Sequence, residues 1–145
     1  MKVLLDTSVL VSSVVNAHGD HIRSFAVLNR IQTGIDEGFV AAHTLAEIYA
    51  VLTKFPPPSR HTPEQALLSI EENVFKHFKI TALGGNDYVA LLRESALAGI
   101  QGGTIYDAIL MRAAIKADVE RIFTLNLRHF HAVAPTHLRP RLFSP

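Results

Sequence analysis

The stretch Lys2-Val3-Leu4-Leu5-Asp6-Thr7-Ser8-Val9-Leu10 decides how the chain folds. Three consecutive apolar residues run straight into a carboxylate, and apolar residues resume directly afterwards. A short unbroken apolar run suits a strand buried on both faces of a parallel sheet. Thr7 or Ser8 is then expected to cap a helix through Val9, Leu10, Val14 and Val15. That order puts Asp6 at the carboxyl end of a buried strand. A carboxylate there costs several kcal/mol to desolvate unless it is paired or holds a cation.

Downstream, the same alternation repeats. A helix is expected from Asp20 to Thr33, with Ile22, Phe25, Leu28 and Ile31 near one face and Gly34 as its stop. Phe39 to Ala42 reads as the second strand, and a helix from Thr44 to about Lys54 ends at Pro56-Pro57-Pro58. Thr62 caps a further helix with Pro63 in its favoured first position. Phe78 to Ala82 is the third strand, and Asn86 opens the next helix. The glycine-rich stretch Gly99 to Gly103 precedes a strong helix from Thr104 to about Ala117. Arg121 to Thr124 is the fourth strand, and His131 to Ala134 is expected as a fifth at an edge. Strands alternating with helices imply an α/β sandwich on a parallel sheet, with helices on both faces.

With 145 residues, 48% apolar and 19% charged, the chain is one domain's worth of globular protein and not a disordered one. No apolar run approaches the roughly 18–20 residues that cross a bilayer. Val3 to Leu5 meets Asp6 too soon to be a signal-peptide core, so the expected location is cytoplasmic with no membrane partner. Zero cysteines exclude a disulfide framework and a thiolate zinc site. The net charge of +1 is unevenly placed: residues 1–111 hold 8 Lys/Arg against 11 Asp/Glu, and residues 112–145 hold 6 against 2. A basic final third suits a phosphate backbone and equally suits a solvated face.

In an open α/β sheet, ligands bind at the carboxyl ends of the strands, where strand order reverses. Four residues fall at such places: Asp6, Glu47 near the start of the helix after the second strand, Asp107 near the start of the helix after the glycines, and Asn126 after the fourth strand. Thr44-Leu-Ala-Glu47 and Thr104-Ile-Tyr-Asp107 also have capping-box spacing, which would account for those two acids without any chemistry. Three acids at three strand ends repel one another, and a hard divalent cation, Mg²⁺ or Mn²⁺, relieves that repulsion. His18-x-x-His21 and His129-x-His131 lack companion ligands in motif spacing, and Gly99 to Gly103 lacks the Gly-Lys-Ser/Thr ending of a phosphate loop. Asp6-Thr7-Ser8 likewise lacks the second Asp of a haloacid-dehalogenase-like phosphatase.

These blocks, in this order from residue 2 to residue 130, resemble the PIN-domain ribonucleases, in particular the VapC-like toxins of toxin–antitoxin pairs. Val3-Leu-Leu-Asp6-Thr-Ser8 resembles the opening strand, Glu47 in Thr44-Leu-Ala-Glu-Ile-Tyr49 the second acid, and Asp107 in Thr104-Ile-Tyr-Asp-Ala-Ile-Leu the third. Thr124-Leu-Asn126-Leu-Arg-His129-Phe130 resembles the last block, with Asn where the family commonly has Asp. The resemblance implies a PIN-like three-layer α/β/α sandwich around a central, mainly parallel sheet of four to five strands. It implies a catalytic set of Asp6, Glu47, Asp107 and Asn126. Asp6 and Asp107 would hold Mg²⁺, Mn²⁺ would substitute for it, and Ser8 and Thr124 would support them or touch phosphate. It further implies an RNA substrate, a cognate antitoxin and a homodimer. Arg128 and His129, beside the last block, suit contact with RNA phosphate in place of a metal. Two other readings stay open: a PIN nuclease of RNA processing without an antitoxin, and an inactive binding module, which Asn126 favours.

Overall fold

The computed structural model describes residues 1–145. Five strands form one sheet: β1 (Lys2–Leu5), β2 (Glu37–Ala41), β3 (Phe78–Thr81), β4 (Arg121–Phe123) and β5 (Leu142–Phe143). All four neighbouring pairs are parallel, in the order β3-β2-β1-β4-β5. The sheet is thus wholly parallel.

The helices are α1 (Thr7–Val14), α2 (His21–Gln32), α3 (Ala42–Lys54), α4 (Pro63–Ile70), α5 (Gly85–Leu97), α6 (Thr104–Ala117) and α7 (Leu127–Val133). A π-helical turn, Glu71–Phe75, continues α4, and a 3₁₀ turn, Arg139–Arg141, precedes β5. Alternation along β1 divides the core. Val3 and Leu5 pack with residues of α1, α2, α3 and α4 on one face. Leu4 packs on the other face with Phe39, Leu110, Met111, Ile122 and Phe130. A small third cluster, Leu91 with Ala108 and Ile109, joins α5 to α6. The outcome is the expected three-layer arrangement, and no helix is long and apolar enough to cross a membrane.

Strand order reverses at β1. The crossover through α1 and α2 leads to β2 on one side, whereas the chain returns through α5 and α6 to β4 on the other. The crevice beyond the carboxyl ends of β1 and β4 is therefore the switch point of the sheet.

Three local expectations are corrected. His131 to Ala134 is not a strand: His131, Ala132 and Val133 finish α7, and the edge strand is Leu142–Phe143. The cap of α1 is Asp6, whose carboxylate accepts from Thr7 N–H at 2.7 Å, and not Thr7 or Ser8. Neither suspected capping box exists. The α3 helix begins at Ala42 directly from β2, so Glu47 lies in its second turn and the Thr44 hydroxyl is buried without a partner. The cap of α6 is Gly103, with Thr104 already inside the helix. A true capping box does form at Thr62 and Gln65, where each satisfies the other's backbone N–H.

Candidate active site

Asp6, Glu47, Asp107 and Asn126 all line one cavity of about 560 Å³ at the switch point, with Thr7, Ser8 and His18 among its other walls. Asp6 leaves β1, Glu47 projects from α3, Asp107 from the first turn of α6, and Asn126 precedes α7. Glu47 has no capping role in its helix.

Asp6 is buried and held by neutral donors only. Its Oδ1 accepts from Thr7 N–H, and its Oδ2 accepts from the Ser8 hydroxyl at 2.7 Å and the Thr124 hydroxyl at 2.9 Å. Both hydroxyls are themselves fixed. Leu125 N–H donates to Ser8 Oγ at 3.1 Å, and Asn126 N–H donates to Thr124 Oγ1 at 3.0 Å. Hydroxyls that donate to a carboxylate and accept from the backbone leave its two oxygens with fixed directions. Ser8 and Thr124 are thus occupied in orienting Asp6.

Glu47 and Asp107 are half-buried, and both carboxyls are pushed above their ordinary values. For Glu47 the largest cause is burial, opposed by the His43 ring and reinforced by repulsion from Asp6 and Asp107. For Asp107 it is burial first, then repulsion from Asp6, opposed by His129. The Thr7 hydroxyl lies near enough to lower Glu47 slightly, yet its oxygen reaches hydrogen-bond geometry with no group. No Lys or Arg forms an ion pair with Asp6, Glu47 or Asp107.

The donor set is all oxygen, three carboxylates and the Asn126 amide, which matches a hard cation such as Mg²⁺ or Mn²⁺. No three acidic or histidine side chains close into a ready cage. That openness suits Mg²⁺, which keeps several waters and takes one or two carboxylates. Asn126 supplies no charge, so the cavity holds three potential negative charges and not four. Sequence reasoning missed His43, whose Nε2 lies 3.1 Å from Glu47 Oε1. The i, i+4 spacing of His43 and Glu47 on one helix was the available signal.

A family model for the PIN domain matches residues 3–134. Ribonuclease VapC40, from two strains of Mycobacterium tuberculosis, is 32% identical over 123 residues, covering 85% of this chain and 85% of that protein. Among solved structures, Mycobacterium tuberculosis VapC20, a toxin that cleaves the sarcin–ricin loop, matches with a TM-score of 0.69 at 9% identity, over 92% of this chain and 96% of that one. The VapBC2 complex of Rickettsia felis on a fragment of its promoter DNA contains a chain matching at a TM-score of 0.64 and 18% identity, over 100% of this chain and 98% of that one. Both structures speak for the fold. With the family model spanning nearly the whole chain and a sequence relative covering most of it, this protein belongs to the PIN-domain family, in its VapC-like branch.

Proposed function

We propose that the chain is an Mg²⁺-dependent endoribonuclease acting in the cytoplasm as the toxin of a toxin–antitoxin pair. The observation that carries this reading is the meeting of Asp6, Glu47 and Asp107 around one cavity with no Lys or Arg to neutralise them. Asp6 and Asp107 would hold the cation, with Glu47 joining directly or through water. When bound, Mg²⁺ or Mn²⁺ supplies a Lewis acid that acidifies water and offsets the charge of a phosphodiester.

The protein's own groups do the remainder. Ser8 and Thr124 hold Oδ2 of Asp6 and Thr7 N–H holds Oδ1, so its geometry is set before substrate arrives. The Glu47 carboxyl, raised by burial, is suited to take a proton from an attacking water at its oxygen. The Asn126 amide can orient that water or a phosphate oxygen without adding charge. Arg128 and His129, exposed on the first turn of α7, would contact the RNA backbone.

A toxin needs restraint, and the surface offers a place for it. Ile22 and Phe25 on α2 and Tyr49 and Val51 on α3 are exposed, and Val51 and Phe55 wall the acidic cavity itself. An antitoxin segment lying against Val51 and Phe55 would bring a basic side chain to the carboxylates. The VapC-like relatives and the VapBC complex from Rickettsia felis are consistent with such a partner. A homodimer is expected to use a second surface, and Tyr88, Val89, Leu92 and Leu97 on α5 are exposed enough to form it.

Cleavage of a structured RNA with Mg²⁺ or Mn²⁺, with EDTA, and with Asp6→Asn tests the reading. Cuts that need the metal and vanish in the folded variant are expected. A folded protein that cuts nothing under either metal would move the function to a docking module, the reading Asn126 favours.

A further inference from the structure

His43 sits one turn before Glu47 on α3, and Tyr106 sits immediately before Asp107 on α6. Their rings stack with centroids 5.1 Å apart and planes only 6° from parallel. The same imidazole approaches Glu47 Oε1 at 3.1 Å through Nε2. One side chain thus touches the residue next to the third acid and the carboxylate of the second.

An i, i+4 pair on an open helix face usually fixes little, because both side chains keep their rotamers. Two things differ here. The flat face of Tyr106 removes the ring freedom of His43, so the imidazole meets Glu47 with its orientation already set. Glu47 is half-buried near two other acids that repel it, and the His43 ring opposes that repulsion. The stack also ties the starts of α3 and α6 together, and those are the two helix ends that carry Glu47 and Asp107. His43 lies beside Oε1 of Glu47, a residue that lines the cavity.

We propose that His43 and Tyr106 form a brace that fixes the Glu47 carboxylate: Tyr106 holds the imidazole flat, and the imidazole holds one oxygen of Glu47 so that the other serves the cleft. Both are positioning residues, and the proposal rests on the nuclease reading of the cavity.

The test is Mn²⁺ binding, followed by electron paramagnetic resonance, beside steady-state cleavage of a structured RNA. The proteins are the full chain and its His43→Ala, His43→Gln, Tyr106→Ala and Tyr106→Phe variants, with melting curves to establish folding. His43→Ala should weaken Mn²⁺ binding and lower kcat by about tenfold, the size typical of a lost partner to a metal-site ligand, with KM little changed. His43→Gln, which keeps a polar group beside Glu47, should recover most of the loss. Tyr106→Phe keeps the stack and should behave as the parent, while Tyr106→Ala should follow His43→Ala at smaller amplitude. A parent protein that binds Mn²⁺ and a folded His43→Ala with unchanged affinity and kcat would overturn the brace alone. A rise in KM without loss of kcat or Mn²⁺ affinity in Tyr106→Ala would also overturn it, showing Tyr106 as a stacking surface for RNA bases. A parent that neither binds Mn²⁺ nor cleaves would overturn the nuclease reading beneath it.

Discussion

The two ends of the sheet treat their acids in opposite ways. At the amino end, Asp36 is as buried as Asp6, but the Arg30 guanidinium at 2.6 Å and the Met1 ammonium at 3.2 Å hold it, and its carboxyl lies below the ordinary value, chiefly through Arg30. Around it Glu37 pairs with Lys79, and Glu120 accepts from Lys2 N–H at 2.7 Å. At the carboxyl end three acids face a cavity with only neutral donors and histidines nearby, and two of them are pushed up. Where charge serves stability, a fold completes the pairing itself. Where charge is left incomplete, something outside the chain is expected to complete it.

Exchanging the roles of the two buried aspartates gives the largest effect. Asp6→Asn should lower RNA cleavage by at least about a hundredfold and leave the metal-free melting temperature unchanged or higher, since one repelling charge is gone. Asp36→Asn should do the reverse. Activity should persist, while stability falls by roughly 1 kcal/mol once solvent screening of its half-exposed Arg30 partner is allowed for, near 2–4 °C in a melt. Equal losses of activity in both variants would erase the distinction between the ends.

Acid and base should separate the ends further. The depressed Asp36 carboxyl adds stability that is complete above the ordinary aspartate value and is lost as pH falls through its folded value. The raised Glu47 and Asp107 carboxyls have the opposite sign. They cost the metal-free protein stability as pH rises from about 4 through their folded values, and millimolar Mn²⁺ should cancel that loss. Melting curves across this range with EDTA or Mn²⁺ would read both slopes, and a metal-free curve unchanged by Glu47→Gln would contradict the assignment.

The smallest effect is expected at Asn126, which is exposed. Asn126→Asp adds a fourth acid, so the metal-free melt should drop by about 1–2 °C and the stabilisation by Mn²⁺ should grow. If added charge leaves both untouched, position 126 lies outside the electrostatics of the cavity.

Much of this was legible in the sequence because burial and period coincide in it. The Val3 to Leu5 run is a strand buried on both faces, and the acids follow strands or open helices at the one crevice a parallel sheet provides. The failures share a cause, in that local chemistry was overridden by what lay across the fold. His131-Ala-Val-Ala134 is a short, mostly apolar run like a strand, but its residues complete and cap a helix whose Phe130 buries against the sheet. Leu142-Phe143, only two residues long between prolines, becomes a strand because β4 offers it an open edge. Thr44 and Thr104 look like caps, yet α3 starts straight from β2 and α6 starts from Gly103. The i, i+4 spacing of His43 and Glu47 was readable, but the stack of His43 on Tyr106, 63 positions away, was not, since no local spacing announces a stack between two helices.

The bonds that fix Asp6 have a consequence for how such an enzyme is made. Thr124 Oγ1 reaches back 118 positions to Asp6, and Leu125 N–H reaches back 117 to Ser8. The central strand is synthesised first, but one of its neighbours and the hydroxyl that orients its acid arrive only near the end. A ribosome translating this chain therefore carries its first acid long before the site is complete. The site is complete only when the last quarter of the protein has emerged and closed on the first, so a product stalled before Thr124 lacks a hydroxyl that orients Asp6.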